Sequence, residues 1–204
     1  MKRPGLAKLS SALVLAMAVV CPVLAAPAPA AGATAVFAGG CFWCIEADFE
    51  KLPGVLDVES GYTGGYVPDP DYEQVSAGGT GHAEAVRVRY DPARVSYAQL
   101  LDYFWKHIDP TVKDRQFCDA GNQYRSAIFP ATDEERRAAE ASRDALLASG
   151  RFAQVLTTIE PAAAFHPAED YHQDYYRKNP LRYAYYRRSC GRDARVEELW
   201  GSAR

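Results

Sequence analysis

Two cysteines and a glutamate are the residues of this chain whose types and spacing could do chemistry. The segment AGGCFWCIE places Cys41 directly after two glycines and at the start of a run with helical spacing. Unpaired N–H groups at a helix N-terminus favour a thiolate over a thiol, so they are expected to lower the pKa of Cys41. We therefore interpret Cys41 as a nucleophile, with a buried structural thiol as the alternative.

Cys41 and Cys44 also form a C-x-x-C motif, which allows three further interpretations. Haem attachment fails because residue 45 is Ile and not His. A zinc site would need a second close pair of cysteines, which the sequence lacks, so we expect no metal. Thiol–disulfide exchange remains the alternative function.

Glu84 lies in a segment, residues 82–90, in which residue types alternate as they do in a strand. The alternation places Glu84 on one face with Val86 and Val88, and directs Arg87 and Arg89 to the other face. Burial on an apolar face raises the pKa of a carboxyl group, so Glu84 could stay protonated and serve as a hydrogen-bond donor or general acid.

The strands and helices that must position these groups can be predicted from the hydrophobic periodicity and from the glycines and prolines that end each element. Strands are expected at residues 34–38, 55–62, 82–90, 124–129 and 154–159, and helices at 41–52, 96–107 and 132–149. Ser96 and Thr132 are the expected caps of the last two helices. This order predicts one α+β domain, 34–204, a layered α/β sandwich built on a split β-α-β, ferredoxin-like core with a C-terminal extension.

The N-terminus has the pattern of an export signal. A basic start with Lys2, Arg3 and Lys8 precedes an apolar stretch, residues 9–20, that is short for a membrane span. We predict a signal peptide over 1–25, cleaved near Ala25, and a flexible leader over 26–33. The mature protein would then be periplasmic or secreted, with no membrane span; an uncleaved anchor is the alternative.

The charge balance bears on the partners of the chain. Its 204 residues carry a net charge of −3, and loss of residues 1–25 removes three cations and no acid, which leaves −6. Arginines interleaved with tyrosines in residues 171–195 could stack on RNA, but the negative charge favours arginines that cover an aromatic layer. We therefore expect no nucleic-acid partner.

Several blocks of sequence, in order along the chain, resemble the peptide methionine sulfoxide reductase A family. They are GCFWC at 40–44, GYTGG at 61–65, YEQVSAGGTGHAEAV at 72–86, KDRQ at 113–116 and DAGNQYRSAIF at 119–129, and the resemblance runs from about Val36 to Trp200. The resemblance implies an enzyme that reduces methionine S-sulfoxide, free or in oxidised proteins. It also implies an external thiol reductant, thioredoxin-like or a periplasmic equivalent, and no metal or organic cofactor; we expect a monomer.

The resemblance also implies roles for the matched residues. Cys41 matches the thiolate that attacks the sulfoxide sulfur, and Glu84 matches the acid that donates a proton to the sulfoxide oxygen. Tyr72 and Tyr124 match phenols that hold that oxygen. The other matches are Asp119 in the polar network of the site, and Phe42 and Trp43 in an apolar wall that receives the substrate methyl group.

The resemblance does not identify the thiol that resolves the resulting sulfenic acid, because the chain departs from the family there. Many relatives have Gly at the position of Cys44 and carry resolving cysteines in a glycine-rich tail that this chain lacks. We expect Cys190 to be the resolving cysteine, because a flexible C-terminal thiol can reach a sulfenic acid. Cys118 and Cys44 are the alternatives.

Overall fold

The structure, a computed structural model, describes Met1 and residues 32–201. The predicted signal peptide, apart from Met1, and nearly all of the predicted leader lie outside the described residues. The helices and strands are, in chain order, β1 (Ala33–Gly39), α1 (Phe42–Phe49), β2 (Val55–Thr63), α2 (Tyr72–Ala77), β3 (Ala83–Tyr90), α3 (Tyr97–Trp105), β4 (Arg115–Gln116), β5 (Asp119–Ala120), β6 (Ser126–Phe129), α4 (Asp133–Ala148), β7 (Thr158–Ile159), β8 (His166–Pro167), α5 (Tyr175–Lys178), α6 (Pro180–Ser189) and α7 (Arg192–Trp200).

A six-stranded sheet in the order β7-β6-β1-β3-β2-β8 carries the site. Neighbouring strands run antiparallel, except β6 and β7, which are parallel. The end of β1 lies at the middle of this sheet, and α1 starts directly after it. The predicted mixed α+β class is confirmed.

Both faces of the sheet are covered, and most residues of its central strands β1 and β3 are therefore buried. One face packs against α1, α3 and α4 through large side chains such as Phe37, Val86 and Phe104, all fully buried. The other face is lined by small residues together with Phe129 and is covered by Phe165. Only small side chains allow the covering loop to approach this second face closely.

Several predicted elements differ from the observed ones. The stretch between β2 and β3, expected to be a loop, contains α2, whose N-terminus is closed by reciprocal hydrogen bonds between Asp71 and Gln74. The strand expected at 154–159 is reduced to β7 because only its last two residues pair with β6. Ser96 and Thr132 cap α3 and α4 as predicted.

The C-terminal extension is helical, which the sequence analysis did not predict. α6 buries none of its residues, so its sequence carries no apolar stripe from which a helix could be recognised. Its start is fixed instead by Pro180 in the first turn. None of the described helices is long and apolar enough to cross a bilayer.

Candidate active site

Cys41 occupies the junction that the sequence predicts, at the N-cap of α1. Gly40, with φ +81°, turns the chain out of β1, and a Cβ atom there would lie 2.5 Å from Gln116 Cβ. Only glycine therefore fits this turn. The Cys41 carbonyl accepts the first helical hydrogen bonds of α1, and the side chain is almost fully buried.

Glu84 is a residue of β3 and lines the same cavity as Cys41. It lies on the strand face that the alternation of residue types along 82–90 predicts. Its Oε2 atom accepts a hydrogen bond of 3.0 Å from the Phe42 N–H in the first turn of α1. The residue is 2% exposed. Burial raises the pKa of Glu84 to about 8, although the Phe42 hydrogen bond opposes the shift. Glu84 is therefore protonated at pH 7, with Oε1 left to carry the proton.

A cavity of about 270 Å³ joins the side chains that the sequence analysis assigned to the site. It is lined by Cys41, Phe42, Trp43, Tyr72, Glu84, Asp119, Tyr124 and one residue that was not predicted, Tyr186. These residues come from β3, the helices α1, α2 and α6, the short strand β5 and the 3-10 turn Asn122–Tyr124. The site therefore forms only when segments from most of the chain come together.

Each of the polar groups around the cavity is held by a specific contact. The Tyr72 N–H donates to Glu169 Oε1 at 2.8 Å, which fixes the start of α2. Tyr186 donates from its hydroxyl to Asp119 Oδ2 at 2.5 Å. Asp119 itself follows a two-residue hairpin turn between β4 and β5, in which Phe117 has the positive φ of 52°.

Burial favours the neutral forms of the acids and phenols of the cavity. It raises the pKa of Tyr72 to about 12 and raises that of Tyr124 further. It also raises the pKa of Asp119, against the effect of the Tyr186 hydrogen bond. Glu84, Tyr72 and Tyr124 thus present O–H donors to the cavity at pH 7, an arrangement suited to an oxygen atom on which charge develops.

A hydrogen bond joins the two cysteines of the C-x-x-C motif and shifts their pKa values in opposite directions. Burial raises the pKa of the Cys41 thiol well above its usual value, and its hydrogen bond to Cys44 adds to the effect. The same hydrogen bond is the main reason that the pKa of Cys44 falls to about 7. In the free protein the shift of the Cys41 pKa is therefore opposite to the predicted direction, and Cys44 is the more readily ionised thiol of the pair.

The charges of two arginines favour the thiolate form of Cys44. Arg192 and Arg187 both lower the pKa of Cys44 through their charge. Arg192 is 2% exposed and donates to the carbonyls of Gly39 and His107. Arg187 pairs with buried Asp48 at 3.0 Å. Because both guanidinium groups are held in place, Cys44 meets a fixed positive potential.

An aromatic wall closes the side of the cavity formed by α1. Trp43 stacks on Tyr175 with ring centroids 3.7 Å apart, and its indole N–H donates to His172 Nδ1 at 2.9 Å. His172 is 1% exposed and also packs against Phe42 and Tyr72. His172 is therefore a packing residue that orients the wall.

Cys190, the expected resolving cysteine, is not a flexible thiol. It caps α6 and forms a disulfide with Cys118, while Cys41 and Cys44 are free. The physical reason is that α6 and α7 fold back on the hairpin of β4 and β5, which brings Cys118 to Cys190. Among the described residues, the one group that could bind a metal is this disulfide with Asp119, and its sulfurs are already bonded to each other.

The sequence analysis missed Tyr186, His172 and Glu169 as parts of the site. Tyr186 belongs to the arginine- and tyrosine-rich segment, which was interpreted as a cover. The signal that could have identified it is the helical spacing of Tyr183, Tyr186 and Arg187, which places them together on one side of α6.

Comparisons with known proteins agree on one family. The model of the family described as "Peptide methionine sulfoxide reductase" matches residues 33–204. "Peptide methionine sulfoxide reductase MsrA" of Limosilactobacillus reuteri (strain DSM 20016) is 50% identical over 169 residues, which cover 82% of this chain and 96% of that protein.

Solved structures of similar fold lead to the same family. Mxr1 from Saccharomyces cerevisiae in reduced form is 33% identical, with a TM-score of 0.70, over 75% of this chain and 88% of that chain. Mxr1 in complex with Trx2 is 22% identical, with a TM-score of 0.51, over 75% of this chain and 91% of that chain.

Proposed function

The chain belongs to the peptide methionine sulfoxide reductase family, and from its site we propose that it reduces methionine S-sulfoxide, free or in oxidised proteins. The observation that carries this proposal is that Glu84, protonated at pH 7, and Cys41 line the same small cavity. Sulfoxide reduction needs a nucleophile for sulfur and an acid for oxygen, and the cavity holds both.

The substrate is held by complementary halves of the cavity. Phe42 and Trp43 offer an apolar surface to the methyl group of the substrate, and Tyr72, Tyr124 and Glu84 offer O–H donors to its oxygen. A well-placed donor to a developing oxyanion contributes about 3 kcal/mol to the transition state. Because the donors are neutral before reaction, the oxygen gains most from them as its negative charge grows.

In the first step the Cys41 sulfur attacks the sulfoxide sulfur. The Cys41 proton passes to the Cys44 thiolate, to which it is already hydrogen bonded. Glu84 gives its proton to the sulfoxide oxygen. The sulfur–oxygen bond of the substrate then breaks as oxygen moves to Cys41, which leaves methionine, Cys41 sulfenic acid, a Cys44 thiol and a Glu84 carboxylate.

Cys44 then resolves the sulfenic acid. Its sulfur attacks Cys41, the Cys44 proton joins the departing hydroxide as water, and a Cys41–Cys44 disulfide forms. The two protons of the water are those of Cys41 and Glu84, and Glu84 afterwards takes a proton from solvent. We place Cys44 in this role because its thiol is free beside Cys41, whereas Cys190 is bonded to Cys118.

One turnover of each cysteine variant without reductant tests this scheme. Cys41→Ser should form no methionine from a methionine S-sulfoxide peptide, because the nucleophile is missing. The matched variant Cys118→Ser should still form it. Methionine formation by Cys41→Ser at the wild-type rate would remove Cys41 from the reaction.

The alternative of general thiol–disulfide exchange through the C-x-x-C motif is not favoured. An exchanger must present its attacking sulfur to the disulfide of another protein. Cys41 is 6% exposed and Cys44 is 2% exposed, at the bottom of a cavity of small-molecule size. Insulin reduction by this protein in the absence of sulfoxide turnover would reverse this preference.

An external dithiol must reopen the disulfide, and we propose a thioredoxin-like protein or its periplasmic equivalent. The chemistry requires two electrons per sulfoxide and no organic cofactor or metal ion, so the absence of such groups remains a prediction. The likeness to Mxr1 solved in complex with Trx2 supports a protein reductant of this type.

We further propose that the protein acts outside the cytosol after cleavage near Ala25. The Cys118–Cys190 disulfide supports an oxidising compartment, since exposed disulfides are rare in the cytosol. N-terminal sequencing of the protein recovered from a periplasmic fraction tests this. An intact Met1 in a cytosolic fraction would contradict it.

For the core we propose the split β-α-β, ferredoxin-like description. The support is the order of the four longer strands, β6-β1-β3-β2, all antiparallel, with α1 connecting β1 to β2 and α3 lying between β3 and β6 in the chain. A topology-based comparison against folds of this type tests the description.

A further inference from the structure

A second buried glutamate, Glu46 on α1, has no part in the chemistry described so far. It is 1% exposed, and its Oε2 atom has no hydrogen-bond partner among the described residues. Burial raises the pKa of Glu46 to about 7, and the charges of Glu50 and Asp174 add to this effect. A carboxyl group with a raised pKa costs the folded protein stability as the pH rises above 4.5, so stability does not account for its burial.

The hydrogen bond that Glu46 does make reaches a turn of the chain with an unusual backbone conformation. Glu46 Oε1 accepts the Asp174 N–H at 3.0 Å. Asp174 has a φ of +52°, in the left-handed region. A residue with a side chain keeps this conformation only where its surroundings hold it. The buried carboxyl oxygen therefore fixes the turn at Asp174.

This turn places two rings on the indole of the active-site wall. His172, before the turn, accepts the Trp43 indole N–H at 2.9 Å, and Tyr175, after it, stacks on the Trp43 ring with centroids 3.7 Å apart. Trp43 and Glu46 are three residues apart on α1, so they lie on the same side of the helix. One side of α1 thus carries both the indole and the carboxyl group that holds the two rings against it.

The next acidic residue of α1's C-terminal end binds a different part of α5. Glu50 pairs with Arg177 at 2.9 Å and accepts a hydrogen bond from the Tyr176 hydroxyl. The Tyr176 ring packs against Tyr183 of α6. Glu50 therefore anchors the chain just beyond the wall and offers a matched control for Glu46.

The position of the indole limits the space in the active-site cavity. Trp43 lines this cavity of about 270 Å³ together with Phe42. In the proposed function these two side chains receive the methyl group on the sulfoxide sulfur. One extra methylene in an apolar pocket changes kcat/KM by about 10- to 200-fold when the pocket walls are fixed. A fixed indole is therefore a means of selecting a methyl sulfoxide.

We propose that Glu46 is a positioning residue for substrate selectivity: it holds His172 and Tyr175 against Trp43, and the fixed indole restricts the cavity to sulfoxides that carry a methyl group. Glu46 acts through the Asp174 N–H and the aromatic wall and does not touch the substrate. The proposal rests on the proposed function, because it concerns the substrate of that reaction.

Selectivity between two sulfoxides tests this role. Two peptides of one sequence carry the S-sulfoxide of methionine or of ethionine, which has one more methylene, and kcat/KM is measured for each with dithiothreitol as reductant. Wild type should prefer methionine by about tenfold or more. Glu46→Leu, which cannot accept the Asp174 N–H, should lower this preference by about fivefold or more, and should raise KM for the methionine peptide more than it lowers kcat.

The ratio of the two kcat/KM values separates a change in the cavity from a loss of folded protein. A smaller folded fraction lowers both values by the same factor and leaves their ratio unchanged. Glu46→Gln keeps an acceptor for the Asp174 N–H and should retain the wild-type preference, as should the control Glu50→Gln. Glu46→Asp draws the carboxyl group back by one methylene and should lower the preference by about threefold, which provides the test if Glu46→Leu does not fold.

The outcomes for the proposal and for the proposed function are distinct. A wild-type preference in folded Glu46→Leu or Glu46→Asp would overturn the positioning role and leave sulfoxide reduction intact. A loss of preference in Glu46→Gln or Glu50→Gln as large as that in Glu46→Leu would also overturn it, because both variants keep the hydrogen bond to Asp174. Reduction of neither peptide by wild type would overturn the proposed function itself.

Discussion

The replacement Glu84→Gln should have opposite effects on two properties: it should lower the rate of the reaction and raise the stability of the folded protein. A glutamine fits the same space, and its carbonyl oxygen can still accept the Phe42 N–H. It cannot give a proton to the sulfoxide oxygen. We therefore expect kcat to fall by about 100- to 1,000-fold with a small change in KM.

The same replacement should stabilise the protein at neutral pH. The pKa of Glu84 is about 8 in the folded protein, against 4.5 for the free group. Between these values the folded protein binds a proton that the unfolded chain does not, so stability falls as pH rises, by about 1.4 kcal/mol per unit. Glutamine does not titrate, so the free energy of unfolding of Glu84→Gln does not change in this way. It should exceed that of wild type by close to zero at pH 4.5 and by about 3 kcal/mol at pH 7.

Urea unfolding at pH 5 and pH 7 measures this difference. The midpoint of Glu84→Gln should exceed that of wild type at pH 7 and approach it at pH 5, with equal m-values. Glu73→Gln, at an exposed position of α2, is the matched control and should change stability by less than about 0.5 kcal/mol. A gain that is the same at both pH values, or a less stable variant at pH 7, would refute the assignment of a buried neutral carboxyl.

Three further substitutions test other parts of the site. Cys44→Ser should form one methionine, more slowly than wild type because Cys41 loses its proton acceptor, and should retain a sulfenic acid that dimedone labels; a rapidly formed disulfide would contradict Cys44 as the resolving thiol. Tyr186→Phe removes a hydrogen bond that lowers the pKa of Cys41, so alkylation of Cys41 should shift to higher pH and kcat should fall about tenfold. Tyr185→Phe, on the exposed side of α6, is the control and should change neither quantity. His172→Phe leaves the Trp43 indole N–H without its acceptor, so stability should fall by about 1–3 kcal/mol and KM should rise more than kcat falls. His172→Gln keeps an acceptor and should restore both properties. Such a rescue distinguishes the loss of the hydrogen bond from a loss of packing.

The chemistry of the site could be predicted from local sequence because local rules govern it. Two glycines before Cys41 and helical spacing after it define a strand–turn–helix junction, and α1 begins there. Alternation along β3 placed Glu84 on the buried face, and burial alone raises the pKa of a carboxyl. The family resemblance then supplied Tyr72, Tyr124 and Asp119, all of which line the cavity.

Protonation of the cysteines could not be predicted in this way. The N-terminus of α1 favours a thiolate, but the sequence does not show that Cys41 is desolvated by its surroundings or that Arg187 and Arg192 lie below Cys44. These arginines follow Cys44 by more than 140 residues. Because the electrostatic potential depends on distances in space, Cys44 and not Cys41 has the lowered pKa.

The sequence by itself determined which residue types meet and in what local conformation, because turns, helix starts and strand alternation depend on near neighbours along the chain. Only the tertiary structure decided which cysteines pair, where Tyr186 lies and which thiol of the C-x-x-C motif ionises more readily. Cys190 illustrates the difference: its position near the C-terminus suggests a mobile thiol, yet the packing of α6 and α7 against the hairpin of β4 and β5 holds it against Cys118. Disulfide partners and electrostatic potentials are set by separations of a few ångströms between segments distant in sequence, and those separations exist only in the folded chain.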